Sequence, residues 1–238
     1  MTRRLAGYLG KRFAETRMDW VADPRDPRGC RWSHGSLLSG LLLGLLGGCR
    51  SLADVEDFTE RMGSGFRTLF RIGRRIPDTT LRDLIVRTEP RSLRPMLHRV
   101  LRAAYRRGAL EPDGIPFGVL SLDGKVVTLR GTDDGYAQRQ GDADSGEVRG
   151  LLRTVTATLT SSRARPCIDV TPVLASTNEM GTFQTALENA LDAYGSLDLF
   201  RLVTYDAGAC SLDNAAFARS RGVHYLLGLK SEIGRAHV

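Results

Sequence analysis

The sequence has few lysines, few cysteines and dispersed histidines, and each scarcity excludes something. Only three of its 34 basic residues are lysine. Arginine favours bidentate contacts with phosphate, although a GC-rich genome explains the same bias. The four cysteines form no C-x-x-C motif, and neither they nor the four histidines have the spacing of a zinc site or a disulfide framework. We therefore expect free thiols, a reducing cytoplasm and no zinc.

A long apolar run is also missing, although residues 37–49 (LLSGLLLGLLGGC) come close to one. A membrane-spanning helix needs about 20 apolar residues, and this stretch has about a dozen between Arg31 and Arg50. Its end, Leu46 to Cys49, is similar to a lipoprotein cleavage site. The segment before it, however, is about 36 residues long and contains acidic residues, unlike a short basic signal n-region. We expect a buried helix whose glycines allow close packing, and no membrane anchor.

Charge is divided unevenly along the chain. Residues 1–110 carry 22 Lys+Arg against 11 Asp+Glu, whereas residues 111–238 carry 12 against 16. A basic N-terminal half predicts a polyanionic partner, and an acidic C-terminal half that approaches the same partner needs metal ions or local cations. The 238 residues are enough for one large or two ordinary domains.

The N-terminal half, residues 1–108, has the pattern of a helical domain. An amphipathic helix is predicted over 3–22, Ser51 with Asp54 predicts a capping box, and Thr80 with Asp83 predicts a further helix start. Arginines then recur at helical spacing in two rows, Arg67, Arg71, Arg74, Arg75 and Arg94, His98, Arg102, Arg106. These rows predict cationic helix faces that contact DNA; the alternative is that both are ordinary solvated faces.

After a predicted linker at 109–116, the composition changes to β-branched strands. The apolar run 119–122 predicts a buried strand that ends on Asp123, and residues 199–206 predict a second strand that ends on Asp206. The remaining pattern predicts an exposed loop over 131–149, strands over 151–161, 167–175 and 225–229, and helices over 182–194 and 212–220. The resulting order β, β, β, α, β, α, β is that of an RNase H-like α/β domain with a mixed sheet, over 117–232.

In such a sheet the first and fourth strands are parallel neighbours, so Asp123 and Asp206 would lie side by side although 83 residues apart. Two adjacent carboxylates repel each other and stay ionised with divalent cations between them, and hard oxygen ligands select Mg²⁺ or Mn²⁺. A two-metal site of this kind activates a water or a DNA 3′-hydroxyl for in-line phosphoryl transfer. The alternative is that each Asp caps a turn.

Short motifs occur in a fixed order along nearly the whole chain. In the C-terminal half they are Asp123-Gly124-Lys125, Thr128 to Gly131, Ser176 to Glu179, Tyr205-Asp206-Ala207 and Gly222 to Lys230; in the N-terminal half they are Asp23-Pro24-Arg25, Cys49 to Asp54 and Pro77 to Leu81. Together they resemble the DDE transposases of bacterial insertion sequences, and among these the H-repeat-associated group.

The resemblance implies an RNase H-like core that cuts transposon ends and joins them to target DNA. Asp123 and Asp206 would be the first two of three acids that bind Mg²⁺ or Mn²⁺. It also implies double-stranded DNA as the partner and a homo-oligomer in the active complex, because two ends are cut. Besides the arginine rows, we predict DNA contacts from Lys125, Arg130 and Lys230.

The chain departs from the family pattern in two places. Val126 and Val127 stand between the Asp-Gly-Lys and Thr-Leu-Arg-Gly elements and would alter the turn after the first strand. The third acid, a Glu on a later helix, has no match, because Glu232 follows the last strand too closely.

The ending of the sequence bears on the missing acid. Residues 233–238 (IGRAHV) are what a common sequencing adapter encodes in frame. We therefore expect a C-terminally truncated transposase that is inactive or nearly so. A nuclease of the same fold and a non-catalytic DNA-binding remnant remain the alternatives.

Overall fold

The structure is a computed structural model that describes residues 3–16, 18–130, 136–141 and 148–229. Helices and a six-stranded mixed sheet build it, which confirms the predicted α/β class with a helical N-terminal part. The chain divides into two compact units, Met1–Ala103 and Ala104–Val238. The domain limits drawn from the sequence, 1–108 and 117–232 with a linker at 109–116, stay predictions.

The first unit is helical. Its helices are α1 (Arg3–Ala14), α2 (His34–Leu46), α3 (Leu52–Arg61), α4 (Ser64–Leu69), α5 (Asp78–Arg87) and α6 (Arg94–Tyr105), whose last residues belong to the second unit, with short 3₁₀ helices at Met18–Trp20 and Pro90–Leu93. The core consists of buried apolar side chains from α2, α3, α5 and the segment after α4: Leu37, Val55, Phe70, Ile72, Ile76, Leu81 and Leu84.

The apolar stretch forms α2, and two of its glycines lie against neighbouring side chains. A Cβ at Gly40 would lie 2.5 Å from Ile76 Cδ1, and one at Gly44 would lie 2.7 Å from Val55 Cγ2. The predicted close packing at the glycines is therefore confirmed, whereas the end of the helix is not buried: Leu45 and Leu46 are exposed. Among the described ranges, no helix is long and apolar enough to cross a membrane.

Two helix starts were predicted from capping residues, and one of them is wrong. The capping box of α3 is present, since Ser51 Oγ accepts from Asp54 N (3.1 Å) and Asp54 Oδ2 accepts from Ser51 N (2.9 Å). Helix α5, in contrast, begins at Asp78 and not at Thr80, and its N-cap Pro77 has no side-chain cap. The Asp78 N–H donates instead to Glu56 Oε2 on α3 (2.9 Å). A neighbouring helix supplies the acceptor that the local sequence lacks.

The first arginine row does not lie on one helix face. Helix α4 ends at Leu69, and Arg71 adopts a left-handed backbone conformation with φ of 55°. Phe70, the residue after the helix, is buried, and the centre of its ring lies 4.8 Å from that of Phe13. Since the helix stops before Arg71, the predicted cationic face over residues 67–75 is wrong.

The second unit is built around the sheet. Its elements are β1 (Val119–Arg130), β2 (Ala137–Gly141), β3 (Val148–Leu159), β4 (Cys167–Pro172), α7 (Glu179–Tyr194), β5 (Leu202–Tyr205), α8 (Leu212–Ser220) and β6 (His224–Leu227). The strands are ordered β2-β3-β1-β5-β6, and β4 also pairs with β3. Strand β3 is antiparallel to β1, β2 and β4, whereas β1, β5 and β6 are parallel. The path β4-β3-β1-β5-β6 is the strand order of the predicted RNase H-like sheet.

Two sequence predictions for this sheet are wrong. Strand β1 does not end on Asp123 but continues to Arg130, and the altered turn expected at Val126 and Val127 is absent from this continuous strand. The continuation is held by β3, which pairs with β1 from Leu120 to Arg130. The exposed loop predicted over 131–149 contains β2, an edge strand paired with residues 148–152; residues 131–135 and 142–147 of that loop lie outside the described part.

Helix α7 covers one face of the sheet. Its Phe183 ring lies 5.9 Å from that of Tyr205 on β5, and Asn189 Nδ2 donates to Thr171 Oγ1 on β4 (3.1 Å). Leu120, Leu122 and Val203 are buried on this face. Because side chains alternate along a strand, the residues between them point to the opposite face.

Candidate metal site

The two predicted acids lie on or directly after neighbouring parallel strands: Asp123 is in β1, and Asp206 follows the last residue of β5. Strands β1 and β5 are parallel, with Val119 opposite Leu202 and Ser121 opposite Thr204. The pairing ends at Ser121 and Thr204, and Asp123 and Asp206 each follow two residues later. Ser121 and Thr204 belong to the sheet face that α7 does not cover. Asp123 on β1 and Asp206 just after β5 therefore belong to adjacent parallel strands or their ends, and a shared metal site between them stays a prediction.

A chain of hydroxyl groups links β1 and β5 with Thr160, the residue after β3. Ser121 Oγ on β1 lies 2.8 Å from Thr160 Oγ1 and 2.9 Å from Thr204 Oγ1 on β5. These hydrogen bonds fix Ser121 and Thr204 on the same side of the sheet, two residues before Asp123 and Asp206 respectively. They support the shared orientation of the two acids.

Asp206 ends β5 and begins a turn. It is exposed, and its Oδ1 accepts a hydrogen bond from Gly208 N (2.9 Å) as the N-cap of the 3₁₀ helix Ala207–Ala209. Asp206 therefore also does what the alternative interpretation expects, namely cap a turn. Its second carboxylate oxygen is a further potential ligand.

Gly228, which follows β6, lies against the backbone of this turn. A Cβ at this position would lie 2.8 Å from Ala207 N, and Gly228 N donates to Tyr205 O (3.1 Å). The absence of a side chain at Gly228 lets the end of β6 support the Asp206 turn from the neighbouring strand.

Asp123 has a cationic partner on its own strand. The Lys125 ammonium pairs with Asp123 Oδ2, and both side chains are more than half exposed, 60% for Lys125 and 54% for Asp123. This hydrogen bond to Asp123 raises the pKa of Lys125 above its ordinary value. The second oxygen of Asp123 is not part of that pair.

The chemistry of the donor set fits a hard divalent cation. Two exposed carboxylates on one sheet face offer oxygen ligands, which Mg²⁺ and Mn²⁺ prefer. Within the described ranges, no group of three or more His, Cys, Asp or Glu side chains could hold a metal ion. Glu232, which the sequence analysis set aside, lies outside those ranges.

Three of the arginines predicted to contact DNA make contacts within the first unit. Arg67 is half-buried and donates to the carbonyls of Thr59 (2.8 Å), Glu60 (2.9 Å) and Met62 (2.9 Å). Arg74 lies 4.3 Å from the centre of the Trp32 ring and donates to Arg31 O (2.8 Å). Arg75 pairs with Glu56.

The other predicted DNA contacts have varied surroundings. Arg71 is exposed in the turn after α4, and Arg106 is exposed just beyond the end of α6. Arg94 and Arg102 lie on α6, four residues either side of His98. Arg130 is the last residue of β1, and Lys230 lies outside the described residues.

Sequence reasoning missed three features of the site. It assigned Lys125 to DNA and not to Asp123, and it gave no role to Gly228 or to the Ser121–Thr204 pair. The contact between Lys125 and Asp123 could have been predicted, since residues two apart in a strand share a face. The other two depend on strand register, which no local pattern contains.

These observations define an α/β fold whose sheet has an RNase H-like strand order. Over 97% of its length the chain is similar to a chain in the cryo-EM structure of a piggyBac transposase synaptic complex with hairpin DNA, with a TM-score of 0.42 and 14% sequence identity. The match covers 49% of that chain, so this protein spans about half its length. No protein-family model and no curated protein sequence matches the chain.

Proposed function

We propose that the chain is the catalytic part of a DNA transposase, in which Asp123 and Asp206 hold Mg²⁺ or Mn²⁺ for in-line phosphoryl transfer. The observation that carries the proposal is that Asp123 and Asp206 each follow, by two residues, the paired residues Ser121 and Thr204 of adjacent parallel strands. The motifs around Asp123 and Asp206, which resemble those of insertion-sequence transposases, add the substrate class, double-stranded DNA.

Each residue of the site has a defined part in this function. Asp123 and Asp206 would each contribute carboxylate oxygens, while the Gly208 N–H and the neighbouring Gly228 keep Asp206 in its turn. A divalent cation bound there supplies Lewis-acid activation of the attacking oxygen and stabilises the leaving oxygen. Since two acids of the expected three are matched, we expect metal binding with little or no strand transfer by these 238 residues.

The test is a titration of the full chain with Mn²⁺, in which electron paramagnetic resonance measures the concentration of the free ion. We expect Asp123→Asn and Asp206→Asn each to weaken Mn²⁺ binding about tenfold or more, because each removes a charged ligand. Asp213→Asn is the matched control, since Asp213 is an exposed aspartate in the first turn of α8. Equal Mn²⁺ affinity in the wild type and Asp123→Asn would refute the site.

Two other functions are separated by a DNA assay with labelled ends and an unlabelled target. A nuclease of the same fold would cut the labelled DNA without joining it to the target. A DNA-binding remnant, which the excess basic charge of residues 1–110 favours, would bind DNA equally well with and without Asp123→Asn. If the chain acts on two DNA ends, we expect a dimer on DNA, measurable by light scattering.

A further inference from the structure

We propose that Lys125 occupies the place of the metal ion: its ammonium holds the Asp123 carboxylate until a divalent cation displaces it. This inference rests on the proposed metal site and adds a residue that controls how tightly the site binds its cation. The Lys125–Asp123 ion pair is the observation behind it.

The ion pair is unnecessary for holding β1 in the sheet. Main-chain pairing with β3 already fixes both residues, with Asp123 opposite Thr156 and Lys125 opposite Thr154. Thr156 Oγ1 also donates to the Asp123 carbonyl (3.1 Å). Because exposed ion pairs contribute little to folding, a change at Lys125 alters the site far more than the fold.

The acids need a cation when no metal is bound. Asp123 and Asp206 each follow, by two residues, the paired residues Ser121 and Thr204, and in the proposed site their like charges repel each other. The Lys125 ammonium offsets this repulsion by pairing with one of the two carboxylates. A divalent cation that binds both acids must first compete with that ammonium for Asp123 Oδ2.

The side chain at position 125 is a lysine, which favours release of the Asp123 carboxylate to a metal ion. This chain has 34 basic residues, all but three of them arginine, and yet Lys stands beside Asp123. An Arg would hold a carboxylate through two parallel hydrogen bonds, whereas Lys is a point charge on a flexible stem. A metal ion displaces a Lys ammonium from the Asp123 carboxylate more easily than it would displace an Arg guanidinium.

Mn²⁺ titration of the full chain at low ionic strength tests this displacement. We expect Lys125→Met to bind Mn²⁺ more tightly than the wild type, by a factor on the order of two to five, the range set by an exposed ion pair. Lys125→Arg should bind Mn²⁺ more weakly than the wild type. Lys11→Met removes the same charge from an exposed position in α1 and should leave the affinity unchanged.

The outcomes separate this inference from the function on which it rests. If Asp123→Asn abolishes Mn²⁺ binding while Lys125→Met binds no more tightly than the wild type, the displacement is refuted and the metal site stands. If Asp123→Asn leaves Mn²⁺ binding unchanged, both are refuted. Thermal melting in EDTA verifies that each variant folds. If Lys125→Met does not fold, the Mn²⁺ affinity of Lys125→Arg is compared with that of the wild type instead.

Discussion

At the scale of single residues, Asp23 is the acid whose ionisation is most clearly tied to the fold. Its two carboxylate oxygens accept from Arg25 Nε (2.9 Å) and Nη2 (2.8 Å), and Arg25 also donates to Trp32 O (3.2 Å). The hydrogen bond from Arg25 lowers the pKa of Asp23 from 3.8 to about 2. Asp23 and Arg25 thereby tie the segment after α1 to the segment before α2.

This lowered pKa predicts a specific acid sensitivity. A carboxyl group with a lowered pKa stabilises the fold fully above its ordinary pKa, and this contribution is lost as pH falls from about 4 to about 2. We expect Asp23→Asn to reduce the free energy of unfolding at pH 7 by at most about 1 kcal/mol, because the pair is partly exposed. Urea unfolding at pH 7 and pH 2 measures it; an equal loss at both values would contradict the prediction.

At the scale of elements, the packing of α2 depends on the absence of side chains at Gly40 and Gly44. We expect Gly44→Ala to lower the free energy of unfolding by about 1–3 kcal/mol, because the new methyl group overlaps the stiff side chain of Val55. Urea unfolding is the measurement.

Gly35 in the same helix provides the control for this substitution. It is exposed, and a Cβ there would meet no atom within 4 Å. Gly35→Ala should leave stability unchanged or raise it by up to about 1 kcal/mol, since Ala is the better helix former. A gain in stability from Gly44→Ala would show that α2 and α3 can move apart.

The elements that the sequence predicted well are those whose ends are fixed locally. Helix α8 runs over the predicted residues 212–220, and Ser211 Oγ accepts from Asn214 N (3.1 Å) at its start. The apolar stretch and the capping box of α3 were likewise predicted from nearby residues. In each case the determining contact lies within a few positions along the chain.

The elements that were predicted wrongly are fixed by distant partners. The end of β1 is set by its pairing with β3, and the start of α5 is set by Glu56, 22 residues earlier. That the strands of Asp123 and Asp206 are parallel neighbours was predictable, because the strand order alone implies it. The ion pair with Lys125 was not, because it depends on side-chain conformation.

At the scale of the whole molecule, basic charge and DNA affinity need not come from the same arginines. Arg67 and Arg71 were predicted to contact DNA together, but Arg67 binds three backbone carbonyls and Arg71 is exposed. They form a matched pair of equal charge and different surroundings. Comparing them shows whether the basic half acts through exposed charge.

We expect Arg71→Ala to weaken DNA binding by the full chain and to reduce the slope of log affinity against log salt by about one, because one phosphate contact is lost. Arg67→Ala should instead lower the free energy of unfolding by about 1.5–3 kcal/mol, since its hydrogen bonds to carbonyls are charge-assisted. Fluorescence anisotropy with labelled DNA at several salt concentrations measures the first effect, and urea unfolding the second. An unchanged slope in Arg71→Ala would remove Arg71 from the DNA interface.

Each of the two tryptophans of the chain has an arginine beside its ring. Arg74 lies 4.3 Å from the centre of the Trp32 ring, and Arg99 lies 4.8 Å from that of Trp20. Both indoles belong to the first unit, whereas the candidate metal site belongs to the second. Intrinsic emission excited at the red edge of indole absorption therefore reports on the helical unit alone. To follow the unfolding of the sheet by fluorescence, its tyrosines or a tryptophan introduced into the second unit must be used.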